Sequence, residues 1–400
     1  MSDSKPNLIQ GEDTRPTRFC FEGDYCAPTA SGRITRELVL AARGLEMPLS
    51  LRERKAYGPR LDEPLPTFLQ QLAKRPPSGH VRIFCLPAFA LPDSVERGAF
   101  WAISGFDAVH PMPGEIASMK RVEKLWVPSA MHRRVLQKSG MPAMKLEILP
   151  PAVNRKIFHP RAESVDELGP NAFRFLAVVN PLRRKGIDLI LRAYIEEFKS
   201  GEPVRLILKL THMPKLKKDF AYEISDLGKR LGALNKMFAP VVVYSETWSD
   251  AKLAGLMAGC QAFVTANRAY HTALAAREAM AAGLPVVGPA CLADLIGLNE
   301  ETGYLVPTHE APIEADGLFA NSPATVIDEV DIAAMRKRMR EAFTEAKHAR
   351  EKGRMASRAG RADPDWKTLA AAMLSAAPRP VSKPPSQTAS AAPSLGSKPP

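Results

Sequence analysis

The chain has no long apolar run and no clustered cysteines, and each lack removes a class of protein. No stretch reaches the roughly 18 apolar residues that span a bilayer, so a membrane-embedded helical protein is excluded. Met1 to Arg15 mixes acids, bases and glycine with no apolar core segment, so it is not expected to be a secretory signal, and cytoplasmic residence is the expectation. The five cysteines, Cys20, Cys26, Cys85, Cys260 and Cys291, stand far apart without a Cys-x-x-Cys pair or neighbouring histidines. That spacing argues against a disulfide framework and against zinc. Cys85 and Cys260, each inside an apolar segment, read as small buried residues. No repeat at a fixed period is present, and no Asp-x-Asp falls near an expected strand end, so no metal is expected.

What is present is an ordinary globular composition, 45% apolar and 24% charged, over 400 residues. This supports a sizeable core and two domains. The net charge of +12 is spread, with +6 in residues 17–150 and +7 in 151–400. A dedicated nucleic-acid module concentrates its charge on one element. An even spread fits phosphate-bearing ligands, an anionic membrane face or plain solubility. The one dense stretch, Arg336 to Arg361, holds ten bases against three acids. Met335, Met339, Ala342, Phe343 and Ala346 give it an apolar stripe, suited to an interfacial helix or to ordinary packing.

Two α/β series follow one another. The first opens with Phe19-Cys-Phe, a Ser/Gly loop and a helix expected over Arg33–Arg43. Val81–Leu86 and Glu123–Pro128 read as strands, and Ser129 as a helix cap. The second is more regular: expected strands at 173–179, 204–210, 241–244, 262–265 and 285–287 alternate with helices at 187–198, 220–231, 250–257 and 273–282. Short Val/Leu-rich strands between helices imply a parallel sheet covered on both faces. Ligands of such sheets sit beyond the carboxyl ends of the strands. The expected organisation is a disordered start (1–16), a first domain (17–150), a linker (151–172), a second domain (173–345), helices returning to the first domain (346–375) and a disordered tail (376–400).

Three local patterns carry chemistry. Arg183-Arg184-Lys185-Gly186 lies between a buried strand and a helix, where cations beside a helix N-terminus and a close-approach glycine form a polyanion clamp. Glu278 stands in the early turns of a helix that ends at Gly283, placed to accept hydrogen bonds from sugar hydroxyls. Ser31-Gly32, at the first strand-to-helix turn, allows a backbone to approach phosphate.

These residues carry a resemblance. Leu125-Trp-Val-Pro-Ser129, Pro150-Pro-Ala-Val-Asn154 with Phe158 and Pro160, Arg184-Lys-Gly-Ile-Asp188, Glu278-Ala-Met-Ala-Ala-Gly-Leu-Pro-Val-Val287 and Asp365-Trp366 are similar to the motifs of glycosyltransferase group 1. That family has the GT-B fold, an α/β architecture of two Rossmann-like domains with a donor cleft between them, and retains anomeric configuration. The resemblance implies transfer of a hexose from a nucleotide-diphosphate sugar to a saccharide or lipid-linked acceptor, as in polysaccharide biosynthesis, with possible peripheral contact at the inner face of an anionic membrane. It implies that Lys185 with Arg183 or Arg184 holds the diphosphate. Glu278 would bind the ribose, Tyr244 to Thr247 would line the base, and Gly32 would face the phosphates. Ala273 and Leu274 would lie on the donor side, and His110 would be an acceptor-side contact or base. The family's first motif Glu is here Tyr270, and its following glycines are His271 and Ala273. Tyr270 and His271 are read either as a surface loop or as hydrogen-bond donors to an altered sugar. Two other readings stand beside this one: a catalytically weak or inactive paralogue that binds nucleotide or serves as a scaffold, and a transferase acting on DNA, which the spread charge disfavours.

Overall fold

The computed structural model describes residues 17–54, 60–61, 63–77, 79–96, 98–106, 110–168, 171–180, 183–210, 238–268, 272–312 and 326–377. Six parallel strands build the first domain: β1 (Phe19–Gly23), β2 (Leu49–Glu53), β3 (Val81–Cys85), β4 (Ala99–Ile103), β5 (Lys124–Val127) and β6 (Leu146–Ile148). Their spatial order is β2-β1-β3-β4-β5-β6. The chain runs outward from β1 to β2, then jumps back to β3, so a crevice opens past the carboxyl ends of β1 and β3. Helix α1 (Ala30–Ala42) covers this sheet, followed by α2 (Thr67–Ala73), α3 (Pro113–Lys120) and α4 (Ala130–Lys138). The α1 helix starts three residues earlier than expected because the Thr29 hydroxyl caps it, accepting from the Gly32 N–H. Ser129 caps α4 in the same way, accepting from the His132 N–H.

The second domain repeats the plan with β7 (Phe173–Val179), β8 (Val204–Leu210), β9 (Val241–Tyr244), β10 (Ala262–Val264), β11 (Val286–Pro289) and β12 (Gly303–Val306). The order is β9-β8-β7-β10-β11-β12, all parallel, so its crevice lies past β7 and β10. Both strands are buried on both faces, which is why they read as continuous apolar runs in the sequence. Between and after them come α5 (Ile187–Glu197), α6 (Asp250–Ala258), α7 (Leu274–Ala281) and α8 (Leu292–Ile296). A hairpin, β13 (Thr308–Pro312) and β14 (Val326–Val330), leads into α9 (Ile332–Thr344) and α10 (Ala346–Ala359). The expected helix at 220–231 and the expected disordered ends lie outside the described residues, apart from 376 and 377.

Two features of the cores bear on function. Met335, Met339 and Ala342 of α9 are buried against Phe173, Phe175 and Phe198. On the same helix Arg336 pairs with Glu196 and Glu197, and Arg340 with Glu197 and Glu202. Three of the five residues of the stripe an interfacial helix would lay into lipid are therefore part of the protein interior, with Phe343 half-buried and Ala346 exposed. Helix α11 (Trp366–Ser375), capped by Asp365, places Trp366, Leu369, Ala370, Met373 and Leu374 in the core of the first domain, beside Leu38 and Val39 of α1. Cys85 and Cys260 are both buried in apolar surroundings.

Candidate functional site

The loop after β7 tightens into a single 3₁₀ turn, Arg183–Lys185, and then into α5. Gly186 makes the junction with φ +67°, and no side chain caps the helix behind it. A Cβ there would lie 1.9 Å from the Ala266 carbonyl oxygen, so only glycine lets this loop lie against the segment after β10. The Arg268 N–H donates to the Arg184 carbonyl (2.9 Å), joining the two segments again. The Arg184 side chain is buried and Lys185 is half-buried. The side chain of Arg183 lies outside the described residues.

The segment after β10 reaches α7 through Ala273, which adopts φ 47°, ψ 31° and likewise caps nothing with its side chain. A left-handed residue ahead of a helical one turns successive N–H groups toward a single point, an anion-binding arrangement. Two helix N-termini thus open beyond adjacent strands β7 and β10 without a side-chain acceptor among the described residues. The neighbouring α6 is closed by the Ser249 hydroxyl, which accepts from the Lys252 N–H. Leu274 is buried at the start of α7. Tyr270 and His271 lie outside the described residues.

Glu278 stands one turn into α7 and is 2% exposed. Burial raises its carboxyl to about 7, against the pull of Arg33, which forms an ion pair with it. Arg33 comes from the first turn of α1 in the other domain. Its guanidinium also meets Asp250 of α6 at 2.7 Å and lies 5.7 Å from the Phe158 ring centre. These pairings hold the Arg33 guanidinium firmly charged.

Past β9, the Tyr244 ring lies 5.0 Å from Trp248, centre to centre. Lys252 and Lys209 approach the Trp248 face at 4.3 and 5.3 Å. Lys209 is buried, and its ammonium donates to the carbonyls of Leu210 (2.8 Å) and Glu246 (2.6 Å). Burial pulls its pKa down to about 8. Thr247 sits half-buried within this loop.

On the first domain, Gly32 serves its own loop. A Cβ on it would lie 2.5 Å from the Ala27 carbonyl and 2.7 Å from that of Asp24. The Thr29 and Ser31 hydroxyls donate to Asp24 (2.6 and 3.0 Å), so this helix start already holds a carboxylate. Ser31 and Ile34 face Thr272 of the second domain across a narrow recess that Trp366 and Pro151 also line. His110 is exposed, on the segment between β4 and α3.

Residues 172–318 match the family model described as glycosyl transferases group 1. The fold agrees with three solved structures in particular. Sucrose-phosphate synthase from Thermosynechococcus elongatus shares 18% sequence identity and a TM-score of 0.65, over 89% of this chain and 97% of that chain. Anabaena HepE in complex with UDP and glucose shares 13% identity and a TM-score of 0.62, over 90% and 100%. A glycosyltransferase from Rickettsia africae shares 10% identity and a TM-score of 0.60, over 90% and 97%. The chain has the GT-B fold. Against curated proteins the sequence finds no match.

In this GT-B chain the structure gathers Arg184, Lys185, Ala273, Leu274 and Glu278 at the ends of two neighbouring strands. Tyr244 and Thr247 stand one loop away. Four residues at or beside the cleft were not legible in advance: Arg33, Asp250, Trp248 and Lys209. The signals were present but faint. Arg33 adjoins Gly32, and Trp248 follows an expected strand end.

Proposed function

We propose that the protein transfers a hexose from a nucleotide-diphosphate sugar to a saccharide or lipid-linked acceptor, with retention of configuration. The observation that carries this reading is the pair of uncapped helix N-termini at Gly186 and Ala273, flanked by Arg184 and Lys185 and followed one turn later by Glu278. In the reaction, the bond between the anomeric carbon and the β-phosphate oxygen breaks, and the acceptor oxygen bonds that carbon. The negative charge left on the diphosphate falls where cations and helix dipoles already point, so their stabilisation grows toward the transition state. These groups neutralise the charge in place of a metal ion. Glu278 accepts from the ribose hydroxyls, and the Tyr244–Thr247 loop lines the base. Leu274 packs beneath the diphosphate, and His110 is the acceptor-side contact or the base that takes the hydroxyl proton. HepE, solved with UDP and glucose, supports this class of donor.

A second reading, a nucleotide-binding or scaffold protein with weak or no catalysis, is favoured by Tyr270 standing where the family has its first motif Glu.

The experiment is a thermal-shift screen of UDP-, GDP- and ADP-sugars on the wild type, Lys185→Ala and Glu278→Ala, with chromatography of the released nucleoside diphosphate. A ligand at 100 times its Kd raises stability by about 2.7 kcal/mol. At least one donor should shift the wild type and neither variant, and its nucleoside diphosphate should accumulate when acceptor is added. Binding without release selects the second reading, and absence of any shift overturns both.

A further inference from the structure

We infer that Arg33 makes this cleft select nucleoside diphosphates over nucleosides, an inference that rests on the reading of Glu278 as the ribose-binding carboxylate. Arg33 is carried by the first domain, yet both its ion-pair partners, Glu278 and Asp250, belong to the second. Its Nε is buried with no hydrogen-bond partner among the described residues, so the two carboxylates leave the guanidinium fork incompletely satisfied. A ribose diol takes the Glu278 carboxylate only by pushing this guanidinium aside.

The two ligand classes differ in what they return. A nucleoside displaces the arginine and offers it no anion. The guanidinium keeps its contact with Asp250 and the longer-range pull of Glu37, in a position where its side chain is 15% exposed, and a poorly paired charge there is costly. A nucleoside diphosphate brings its own anion to the uncapped start of α7. Glu278 follows Leu274 by four residues, about 6 Å of helical rise, so the displaced fork is within one side-chain swing of that end. The first turn of α1 already lies against it, since Ser31 and Thr272 line one recess. A guanidinium suits this exchange because its fork matches phosphate as well as carboxylate. Arg33 thus repels ligands that carry the sugar ring without the charge and retains those that carry both.

The test is calorimetric titration of UDP and uridine, with GDP and guanosine as a second pair, into the wild type, Arg33→Gln and Arg33→Lys. In Arg33→Gln, diphosphate affinity falls about tenfold or more, as for loss of one charged hydrogen bond, while nucleoside affinity holds or rises. The ratio of the two affinities collapses. Arg33→Lys keeps the charge without the fork and gives an intermediate ratio, which can be read alone should Arg33→Gln fail to fold. An unchanged ratio in a variant that still binds diphosphate overturns the inference and leaves the proposed function standing. Failure of every diphosphate to bind the wild type removes both.

Discussion

Arg268 grips Asp188 with both arms of its guanidinium, Nη1 to Oδ1 at 2.7 Å and Nη2 to Oδ2 at 2.8 Å. One residue lies in the segment that leads to α7, the other in the first turn of α5. Their pairing sets the distance between the two uncapped helix starts, and the Arg268 Nε holds Glu329 of the hairpin as well, at 2.8 Å.

Arg268→Met is expected to cost about 1–3 kcal/mol of stability, because the arginine is buried while its two carboxylates keep partial access to water. Nucleotide affinity should fall by more than that loss of folding accounts for. Chemical denaturation paired with UDP and GDP titration separates the two; a stability loss with unchanged affinity would contradict the positioning role.

Gly186→Ala meets two obstacles at once. Alanine at φ +67° carries a left-handed strain of about 1–2 kcal/mol, and its Cβ would collide with the Ala266 carbonyl. The expected outcome is a markedly lower Tm and no thermal shift with any nucleotide sugar. A variant with wild-type Tm and binding would show that the loop has room to move.

Ala273→Gly works in the opposite direction. The left-handed backbone at Ala273 favours glycine, whereas the unfolded chain loses some restriction when alanine is removed. The balance is a gain of up to about 1 kcal/mol, with nucleotide binding retained. Differential scanning calorimetry reads it; a loss of stability would mean that the alanine methyl group contributes packing worth more than the strain.

Glu278 titrates with a sign that can be worked out. Burial lifts its carboxyl from the ordinary 4.5 to about 7, so the folded chain holds a proton across that window that the unfolded chain has released. Stability from this group is full below pH 4.5 and is lost as pH rises through about 7. Glu278→Gln cannot titrate. Its Tm should therefore gain on the wild type as pH climbs across that range, and a constant difference would refute the raised value.

The second sheet was easy to read in advance for a physical reason. Strands β7, β8 and β9 begin and end where the sequence placed them, because buried parallel strands are unbroken apolar runs between turn residues. Strands β2, β4 and β6 went unseen. In β2 the leucines alternate with Ser50 and Arg52, β4 emerges from a Pro-rich stretch after Gly98, and β6 is three residues long. The site divides the same way. Lys185 and Glu278 announce themselves through neighbours in sequence, whereas Arg33 meets Glu278 across 245 positions. No local pattern encodes a partner so distant. The same holds for Asp250, legible only as a helix start.

Because α11 completes the core of the first domain, the order of synthesis and the order of folding part company. Strand β6 leaves the ribosome at residue 148, but Trp366 to Leu374 follow only after the whole second domain. At about 5–20 residues per second, that interval lasts roughly ten to fifty seconds. Throughout it, the nascent first domain carries an open apolar trough along Leu38 and Val39 that its own last helix must later fill.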